Sequence, residues 1–367
     1  MNKVYLDYNA TARMRPEVID LVTKVMHEVG NASSVHDFGR HARKYVEDAR
    51  EQVANLCNVT PDQVTFTSGA TESINTILSG YRDKRILISA IEHPAVIAAA
   101  GNNAEKIPVT SDGIVDMDAY KRMLDNETPP ALVCVMLVNS ETGVIQPIAE
   151  MAKLAHEKGS LFFTDAVQAA GRMDISLDTL SVDFMALSAH KFAGPQGVGA
   201  IIRGSGLDFP KFMLGGGQEK NYRAGTHNTA GIAGMGIAAE WALNHIADYK
   251  KIQNLRDTME QKLRQISNQI KIYGEQAPRV GNTTNVGFPG IPAQTQMMAL
   301  DLDGVCVSSG SACSSGSFKA SHVLLAMGAS EEDAKSALRI SLGWATTQSD
   351  INRFLESWEK IVKRATQ

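Results

Sequence analysis

Asp165 and Lys191 are the residues whose types and surroundings most directly predict chemistry. Asp165 ends the run LFFTD, and Lys191 follows the apolar stretch FMAL in FMALSAHK. Partial burial lowers the pKa of a lysine amine and makes the amine nucleophilic. A carboxylate at a strand end can ligate a metal, cap a helix or pair with a heterocyclic cation. Ligands bind at the carboxyl ends of strands in open α/β sheets, so we expect both side chains at one site.

The segment FTSGATES, residues 66–73, predicts an anion site close by. Its pattern is a strand that passes through Gly69 into a helix. Ala70 and Thr71 would then lie at the helix N-terminus, where free N–H groups and the helix dipole favour a phosphate. Simpler alternatives stay open for each feature: a helix start capped by Ser or Thr, a capping role for Asp165 and a solvated surface position for Lys191.

Taken together, these features describe one cofactor, pyridoxal 5′-phosphate (PLP). PLP requires a lysine for its aldehyde, a carboxylate that keeps its ring nitrogen protonated and donors for its phosphate. Asp165 ends one predicted strand, and Lys191 follows the end of the next predicted strand. This order suits the cofactor. A flat residue is also needed over the ring, and His93, which follows the strand-like run RILISA, is the candidate.

Short apolar runs alternate with helical stretches between residues 60 and 205 and predict the strands that position these side chains. The runs are QVTFTS, RILISA, ALVCVMLVN, LFFTDA, DFMALSA and VGAIIR. The middle runs lack strict alternation, as expected for a mostly parallel sheet buried on both faces. From Tyr249 a helical pattern continues to Ile270, followed by mixed strands and helices. We therefore expect a large domain over 14–250 and a smaller α+β domain formed by 1–13 and 251–367.

Composition excludes several classes of protein. The net charge is −4 and no run of Lys or Arg stands out, which argues against nucleic acid or an anionic membrane as the main partner. Apolar stretches such as residues 131–138 are too short to cross a bilayer. The first residues lack the apolar run of a signal peptide, so we expect a cytoplasmic protein. Without a CxxC pair or an HExxH motif, neither disulfides nor a metal site is expected.

Cys313 differs from the other three cysteines in its surroundings. Cys57, Cys134 and Cys306 lie in apolar or helical patterns and are expected to be buried. Cys313 lies in VSSGSACSSGS, residues 307–317, which offers no apolar neighbours for packing. A thiol placed in a Gly/Ser-rich loop suggests a function that depends on access and motion.

The chain resembles the cysteine desulfurases of the NifS/IscS type, which are class V members of the fold-type I PLP enzymes. The resemblance extends from YLDYNAT to RISLGWATT, and its most specific motifs are SAHK and SSGSAC. The other matching segments are TSGATES, EHPAV, VNSETGVIQPI, DAVQAAG, GGGQE, RAGTHN and LRISLG. It implies an α/β fold with a mostly parallel seven-stranded sheet in the large domain, beside a smaller α+β domain.

The resemblance also implies a role for each site residue. Lys191 would hold PLP, Asp165 would pair with the pyridine nitrogen and Gln168 with the phenolate oxygen. His93 would stack on the ring, with Asn139 beside it and near the substrate. The phosphate would be bound by Ala70, Thr71, Ser188 and His190, and by Thr226 of RAGT from the other subunit of a homodimer with shared sites. Arg339 would bind the substrate carboxylate as a bidentate partner.

Cys313 would be the nucleophile in such an enzyme. Bound L-cysteine would lose its Cα proton, and the Cys313 thiolate would attack the substrate sulfur. The products would be L-alanine and a persulfide, whose sulfur passes to an acceptor protein such as an iron–sulfur scaffold or a sulfur carrier for tRNA thiolation. Arg13, Gln196 and the pair His227-Asn228 depart from the usual form of the family, but none is a catalytic position.

The nearest alternative is a selenocysteine lyase or another class V PLP enzyme, such as an aminotransferase. An aminotransferase would not need Cys313, and SSGSACSSG is not typical of the selenocysteine-preferring group. A sulfur-carrying or assembly protein without catalysis is less consistent with Lys191, Asp165 and His93 all being in place. The segment GMGIAA, residues 234–239, resembles a dinucleotide-binding fingerprint, but no strand-like run precedes it.

Overall fold

The computed structural model describes residues 3–310 and 319–365. In chain order, its strands are β1 (Val4–Tyr5), β2 (Val64–Thr67), β3 (Ile86–Ser89), β4 (Glu105–Ile107), β5 (Leu132–Cys134), β6 (Leu161–Asp165), β7 (Phe184–Ser188), β8 (Gly199–Arg203), β9 (Lys271–Ile272), β10 (Thr283–Gly287), β11 (Val305–Cys306), β12 (Ser308–Ser309) and β13 (Ala337–Ser341).

The helices follow the same numbering scheme. They are α1 (Pro16–Met26), α2 (Asp37–Cys57), α3 (Ala70–Ser79), α4 (Pro94–Ala100), α5 (Met117–Leu124), α6 (Ile148–Glu157), α7 (Leu177–Leu180), α8 (Thr229–Asn244), α9 (Tyr249–Ile266), α10 (Ala293–Leu302), α11 (His322–Ala326), α12 (Glu331–Ser336) and α13 (Gln348–Ala365). Short 3₁₀ turns occupy Pro61–Gln63, Ala189–Lys191, Gln218–Asn221 and Ile246–Asp248.

Within the described residues, seven strands form one large sheet in the order β2-β8-β7-β6-β5-β3-β4. The five strands β4, β3, β5, β6 and β7 run parallel to one another, whereas β8 runs antiparallel to both β7 and β2. The predicted α/β fold with a mostly parallel seven-stranded sheet is therefore confirmed. Each of the six predicted runs contains one of these strands, and β4 at the sheet edge is the strand that the runs did not identify.

Both faces of the large sheet are covered by helices, which explains why its strands do not alternate between apolar and polar residues. Neighbouring side chains of β6 show the arrangement. Phe162 packs into a core with residues of α2, α5, α6 and α8, and Phe163 packs into the opposite core with residues of α3 and α4. Both phenylalanines are fully buried.

The glycines of GMGIAA serve helix packing rather than nucleotide binding. They lie inside α8, which is preceded by a loop and not by a strand. A Cβ on Gly236 would lie 2.5 Å from the Cα of Ala49, so only glycine lets α8 approach α2 this closely. The structure therefore excludes the dinucleotide-binding alternative for this segment.

A second apolar core surrounds a smaller sheet. Among the described residues this sheet has the antiparallel order β12-β13-β10-β9, and β1 pairs with β11 in a separate parallel pair. Trp358 of α13 is fully buried in this core, together with Leu6 of the N-terminal segment and Met259 of α9. The helix expected to reach Ile270 ends at Ile266, because the chain must become extended for β9 to pair with β10.

The described cysteines follow the sequence prediction with one exception. Cys57 and Cys134 are completely buried, and burial raises the pKa of the Cys57 thiol to about 12. Cys306, expected to be buried, is only half-buried because it lies in β11, whose one pairing partner in the described chain is the two-residue strand β1. None of the helices described here is both long and apolar enough to cross a membrane.

Candidate active site

The large sheet brings the predicted site residues to one edge. Asp165 is the last residue of β6, and Ser188 is the last residue of the parallel strand β7. The chain after β7 forms the 3₁₀ turn that contains His190 and Lys191. Because the carboxyl ends of parallel strands lie at the same edge, these side chains face one space beyond the sheet.

Two helix starts complete this edge. The strand β2 leads through Gly69 into α3, so that Ala70 and Thr71 form its first turn. Beyond β3 the chain reaches His93, the residue that caps the N-terminus of α4, and the His93 Nδ1 accepts a hydrogen bond from Ala95 N–H at 3.1 Å. This hydrogen bond requires an unprotonated Nδ1 on His93.

A cavity of about 910 Å³ occupies this edge; we call it the main cavity. Its wall includes most of the residues predicted for the site, and also residues 308–310 and 319–320, which flank the segment that contains Cys313. The predicted residues on the wall are Ala70, Thr71, His93, Asp165, Gln168, Ser188, His190, Lys191 and Arg339.

Two of the predicted residues that the structure describes do not line this wall. Asn139 is fully buried behind it: the Asn139 Oδ1 accepts from Glu141 N–H and Thr142 N–H, and Nδ2 donates to Ile91 O. These polar atoms hold the turn after β5, and a position of Asn139 beside the cofactor and near the substrate stays a prediction. Thr226 is exposed and lines a separate, smaller cavity. Cys313 lies outside the described residues.

Lys191 has the electrostatic properties of a reactive amine. The pKa of Lys191 is lowered to about 8, first by burial and then by the positive charges of Arg339 and Arg172, opposed by Asp165. Its Nζ donates to Asn9 O at 2.6 Å and to Ala10 O at 2.9 Å. A large fraction of the Lys191 side chains would thus carry the neutral, nucleophilic amine at a mildly basic pH.

Asp165 and His93 influence each other across the cavity. Burial raises the pKa of the Asp165 carboxyl, while a hydrogen bond from Val167 N–H at 2.9 Å and the nearby His93 and Lys191 lower it. The pKa of His93 is lowered by partial burial, with Asp165 acting in the opposite direction. A buried carboxyl at this position is well suited to pair with a protonated ring nitrogen.

Glu92 is an acidic residue at this edge that the sequence analysis did not identify. It is 1% exposed, and its Oε1 accepts from Ser89 Oγ at 2.5 Å and from Met136 N–H at 2.8 Å. Burial raises the pKa of Glu92 to about 8, despite these two hydrogen bonds. Glu92 therefore joins the ends of β3 and the segment after β5 and fixes the start of the turn that carries His93.

The phosphate end of the predicted site combines the N-terminus of α3 with Ser188 at the end of β7 and His190 in the turn that follows. Gly69 has φ +153°, a conformation that side chains rarely adopt, and a Cβ there would point into the space beside Ser188 Oγ, 3.9 Å away. His190 Nδ1 lies 2.7 Å from Thr11 Oγ1. Burial, followed by the charge of Lys191, lowers the pKa of His190 to about 4, so this imidazole is neutral at physiological pH.

Asn9 is a second residue that the sequence analysis did not identify, and it is hydrogen-bonded to several of these side chains. Its backbone oxygen accepts hydrogen bonds from Lys191 Nζ and from Gln168 Nε2, the latter at 3.0 Å. Its side chain donates to Ser140 O at 3.0 Å, and the residue is 1% exposed. The only available signal in the sequence was the polar ending of YLDYNAT after a short strand, which by itself indicates no chemistry.

Arg339 projects from β13 of the smaller sheet into the main cavity. Its guanidinium donates from Nη2 to Asp7 Oδ1 at 2.8 Å and from Nη1 to Ser140 O at 3.2 Å. The third nitrogen, Nε, is buried and has no hydrogen-bond partner in residues 3–310 and 319–365. A positioned guanidinium in a cavity is the usual means of binding a carboxylate in proteins.

An amine at a strand end, a buried carboxylate on the neighbouring strand and a helix N-terminus would suit a phosphorylated pyridine aldehyde, as in the fold-type I PLP enzymes. The chain belongs to the aminotransferase class-V family, whose sequence profile matches residues 4–354. Enzymes of this family depend on PLP.

Similarity to individual proteins extends over the whole chain. The chain is 41% identical to a cysteine desulfurase of Sinorhizobium fredii, covering 99% of this chain and 97% of that protein. It is 39% identical to the cysteine desulfurase IscS of Dictyoglomus turgidum, with 99% and 95% covered. A crystal structure of a NifS-like protein from Rickettsia africae superposes with a TM-score of 0.93 at 36% identity, with 99% and 100% covered.

Proposed function

We propose that this chain is a PLP-dependent cysteine desulfurase, which converts L-cysteine to L-alanine and leaves the sulfur as a persulfide on Cys313. One observation carries the proposal. The main cavity brings Lys191 and Arg339 to a single space that is bordered by Gly310 and Lys319, the nearest described neighbours of the segment containing Cys313. The reaction needs an amine for the cofactor, a cation for the substrate carboxylate and a thiol. This space contains the first two, and its wall includes the described residues that flank the segment of the third in sequence.

The wall of the main cavity fits PLP at both ends of the cofactor. The missing side chain at Gly69 leaves room for a phosphate in front of α3, whose free N–H groups favour an anion. At the other end, the Gln168 side-chain oxygen is buried and unpartnered among the described residues, and Asp165 is 6% exposed. Polar groups of a bound pyridine ring would satisfy both.

Each of these residues would bind a different part of the cofactor. Lys191 would hold it through its amine, Asp165 through the ring nitrogen and Gln168 through the phenolate oxygen, with His93 over the ring face. The phosphate would be held by Ala70, Thr71, Ser188 and His190, and by Thr226 of a second subunit. When bound, PLP supplies an electron sink for bonds that break next to the substrate Cα.

Arg339 and Lys191 act on the substrate itself. The guanidinium of Arg339 binds the α-carboxylate, which fixes the orientation of the substrate Cα. The Lys191 amine, with its pKa lowered to about 8, is suited to accept a proton from Cα and to return it later, since a base whose pKa is near the operating pH transfers protons efficiently.

Cys313 removes the sulfur. Its thiolate forms a bond to the substrate sulfur while the Cβ–S bond of the substrate breaks, and the electron pair of that bond takes up a proton at Cβ. The organic product is alanine, and the sulfur stays on Cys313 as a persulfide. An acceptor protein, an iron–sulfur scaffold or another sulfur carrier, takes the sulfur from there.

The proposal includes the arrangement of the protein as a whole. A large domain over 14–250 carries the cofactor, and residues 1–13 with 251–367 form a smaller domain that carries Cys313 and Arg339. The separate apolar core around Trp358, which includes Leu6, supports this division. The enzyme acts as a homodimer with shared sites, and a cytoplasmic location remains a prediction.

The decisive experiment compares the holoenzyme with its Cys313→Ser variant. With cysteine and no reductant, the wild type should gain one sulfur atom on the peptide that contains Cys313, and with reductant it should release alanine continuously. The variant should bind PLP normally but lose alanine release, since a hydroxyl is a poor nucleophile towards sulfur. Release of alanine at the wild-type rate by Cys313→Ser would instead assign the protein to a selenocysteine lyase or another class V reaction.

A further inference from the structure

Glu141 lies between two parts of the chain that are far apart in sequence from it. The residue is buried, and its Oε2 accepts a hydrogen bond from Ser321 Oγ at 2.5 Å. The same oxygen packs so closely against Gly310 that a Cβ on this glycine would collide with it. One carboxylate oxygen therefore contacts both residue 310 and residue 321.

These two contacts flank the segment that contains the nucleophile. Cys313 is three residues after Gly310 and eight residues before Ser321. Gly310 follows directly after β12, and Ser321 caps the start of α11 by accepting a hydrogen bond from Leu324 N–H at 3.1 Å. Glu141 thus contacts the chain on both sides of the segment, at positions that secondary structure already fixes.

The backbone of Glu141 is held by hydrogen bonds in and around the turn that follows β5. Its N–H donates to Asn139 Oδ1 at 2.9 Å, and its backbone oxygen accepts from Asn285 Nδ2 of β10 at 3.4 Å. Asn139, which does not reach the main cavity, therefore contributes by orienting Glu141. Because this backbone is held and the Glu141 side chain is buried, little conformational freedom remains for the side chain to lose when it contacts Gly310 and Ser321.

We propose that Glu141 is a positioning residue, which holds both flanks of the Cys313 segment against the main cavity and thereby sets the rate of sulfur transfer to Cys313. The inference rests on the proposed function, because it assigns the nucleophile to Cys313. Glu141 acts through Gly310 and Ser321, and no contact between Glu141 and the substrate is required.

The first test separates substrate binding from the later steps. Glu141→Ala removes the acceptor for Ser321 and the surface that packs on Gly310, so kcat for alanine formation in the holoenzyme should fall by about 10- to 100-fold. KM for cysteine should change by less than about threefold, since Lys191 and Arg339 stay in place. Glu141→Gln keeps the shape and one acceptor oxygen and should retain at least about a third of the wild-type kcat.

A matched pair of serines separates the contact from helix capping. Ser321→Ala loses both the cap of α11 and the hydrogen bond to Glu141. Ser330→Ala loses only the corresponding cap of α12, in which Ser330 Oγ accepts from Asp333 N–H at 3.1 Å. We expect kcat to fall in Ser321→Ala and to stay within about twofold of the wild type in Ser330→Ala, although both variants lose thermal stability through the missing helix cap.

A double-mutant cycle tests the contact with Gly310. Gly310→Ala places a methyl group against the Glu141 carboxylate and should lower kcat alone. In the Glu141→Ala background the space is free, so adding Gly310→Ala should cost less than about twofold. Losses in kcat that multiply independently would show that the two residues act separately and would overturn the proposal.

The reactivity of Cys313 can be measured without enzymatic turnover, which tests the role of Glu141 independently of the reaction. The alkylation rate of Cys313 by iodoacetamide, followed by peptide mass spectrometry on holoenzyme without cysteine, should change in Glu141→Ala and Ser321→Ala but not in Glu141→Gln or Ser330→Ala. If Glu141→Ala matches the wild type in both alkylation rate and kcat, Glu141 does not position the segment. Failure of the wild type to form alanine would refute the proposed function, whereas the alkylation comparison would still test Glu141.

Discussion

The carboxylate of Asp7 holds the guanidinium of Arg339, with 2.8 Å between Oδ1 and Nη2. Asp7 belongs to the N-terminal segment and Arg339 to β13, so a long-range contact orients the arginine before any substrate is present. The Ser140 carbonyl holds Nη1 at 3.2 Å. A guanidinium fixed in this way binds a carboxylate with little further loss of conformational entropy.

Removal of Arg339 should therefore impair substrate use far more than stability. Loss of a charge-assisted pair to a buried carboxylate typically costs about 2–5 kcal/mol, so Arg339→Ala should lower kcat/KM for cysteine by at least about 30-fold. Asp7→Asn keeps the shape but removes the charge that orients Arg339, and should mainly raise KM. Steady-state kinetics of alanine formation measure both effects.

An arginine elsewhere provides the control for this comparison. Arg264 of α9 forms an exposed ion pair with Glu275, outside the wall of the main cavity. Arg264→Ala should leave kcat/KM within about twofold of the wild type, since exposed ion pairs contribute little. An Arg339→Ala variant with kcat/KM equally close to the wild type would show that another group binds the carboxylate.

A second prediction concerns stability and the buried ion pair of Arg50 and Glu219. Arg50 donates from Nη1 and Nη2 to the two Glu219 oxygens at 2.8 Å each, and Glu219 also accepts from Phe66 N–H. Glu219→Gln leaves the buried Arg50 guanidinium with only the largely exposed Glu47 as counter-ion and should lower the free energy of unfolding by about 3–5 kcal/mol. Urea denaturation of the apoenzyme at neutral pH measures this difference.

The pH dependence of this pair follows from the sign of its pKa shift. Burial alone would raise the pKa of Glu219, but hydrogen bonds from Arg50 and His227 outweigh it and lower the pKa to about 2. The stabilisation is therefore complete above the ordinary glutamate pKa and is lost as the pH falls towards 2. Glu47 is the matched control, since it also contacts Arg50 but is largely exposed. Glu47→Gln should cost less than about 1 kcal/mol.

The sequence predicted the large sheet and most of the main cavity wall because both depend on local patterns. Asp165 and Lys191 directly follow buried apolar runs, and the ends of such runs must meet at one edge of a parallel sheet. Arg339 was assigned from the resemblance alone, since a lone arginine in LRISLG carries no periodic signal. Its partner Asp7 could not be identified, because the pairing depends on how β1 and β13 pack in three dimensions.

Backbone interactions were the other feature that the sequence could not reveal. The importance of Asn9 arises mainly from its carbonyl oxygen, which accepts hydrogen bonds from Lys191 and Gln168, and any residue type has such an oxygen. Asn139 and Glu141 are close neighbours in VNSETG, and the motif alone does not indicate which side chain faces the cavity. The turn after β5 directs Glu141 to the cavity and Asn139 away from it.

A third prediction follows from the lowered pKa of Lys191. Only the neutral amine can attack the aldehyde of PLP, so the rate of covalent attachment to the apoenzyme should rise with pH and level off above about pH 8. The folded-state pKa lies below the ordinary value of 10.5, so the same group makes the apoenzyme more stable as the pH rises between these two values.

Absorbance during reconstitution, followed by borohydride reduction and peptide mass spectrometry, measures the attachment of PLP to Lys191. Arg339→Ala removes one of the positive charges that lower the pKa of Lys191, and should therefore shift the midpoint of this profile to higher pH. A midpoint near 10.5 in the wild type, or a reduced adduct on another lysine, would contradict the assignment.

The last prediction concerns a site shared between two subunits. Thr226 is exposed, and its segment is held by a 2.8 Å ion pair between Arg223 and Glu72. The nearby residues Phe212, Met213 and Leu214 expose apolar side chains, with Leu214 82% exposed. An exposed apolar surface beside an exposed threonine is consistent with a partner subunit at this position.

Mixed dimers test this sharing directly. Thr226→Val should weaken PLP retention, and Lys191→Ala should abolish activity. In a dimer of one Thr226→Val and one Lys191→Ala subunit, one site regains both wild-type residues and the other loses both. Re-equilibrating equal amounts of the two variants should therefore restore up to about a quarter of the wild-type activity, because half of the dimers are mixed and each has one intact site. A mixture no more active than the two variants kept apart, with exchange verified by mass, would place Thr226 outside the partner's site.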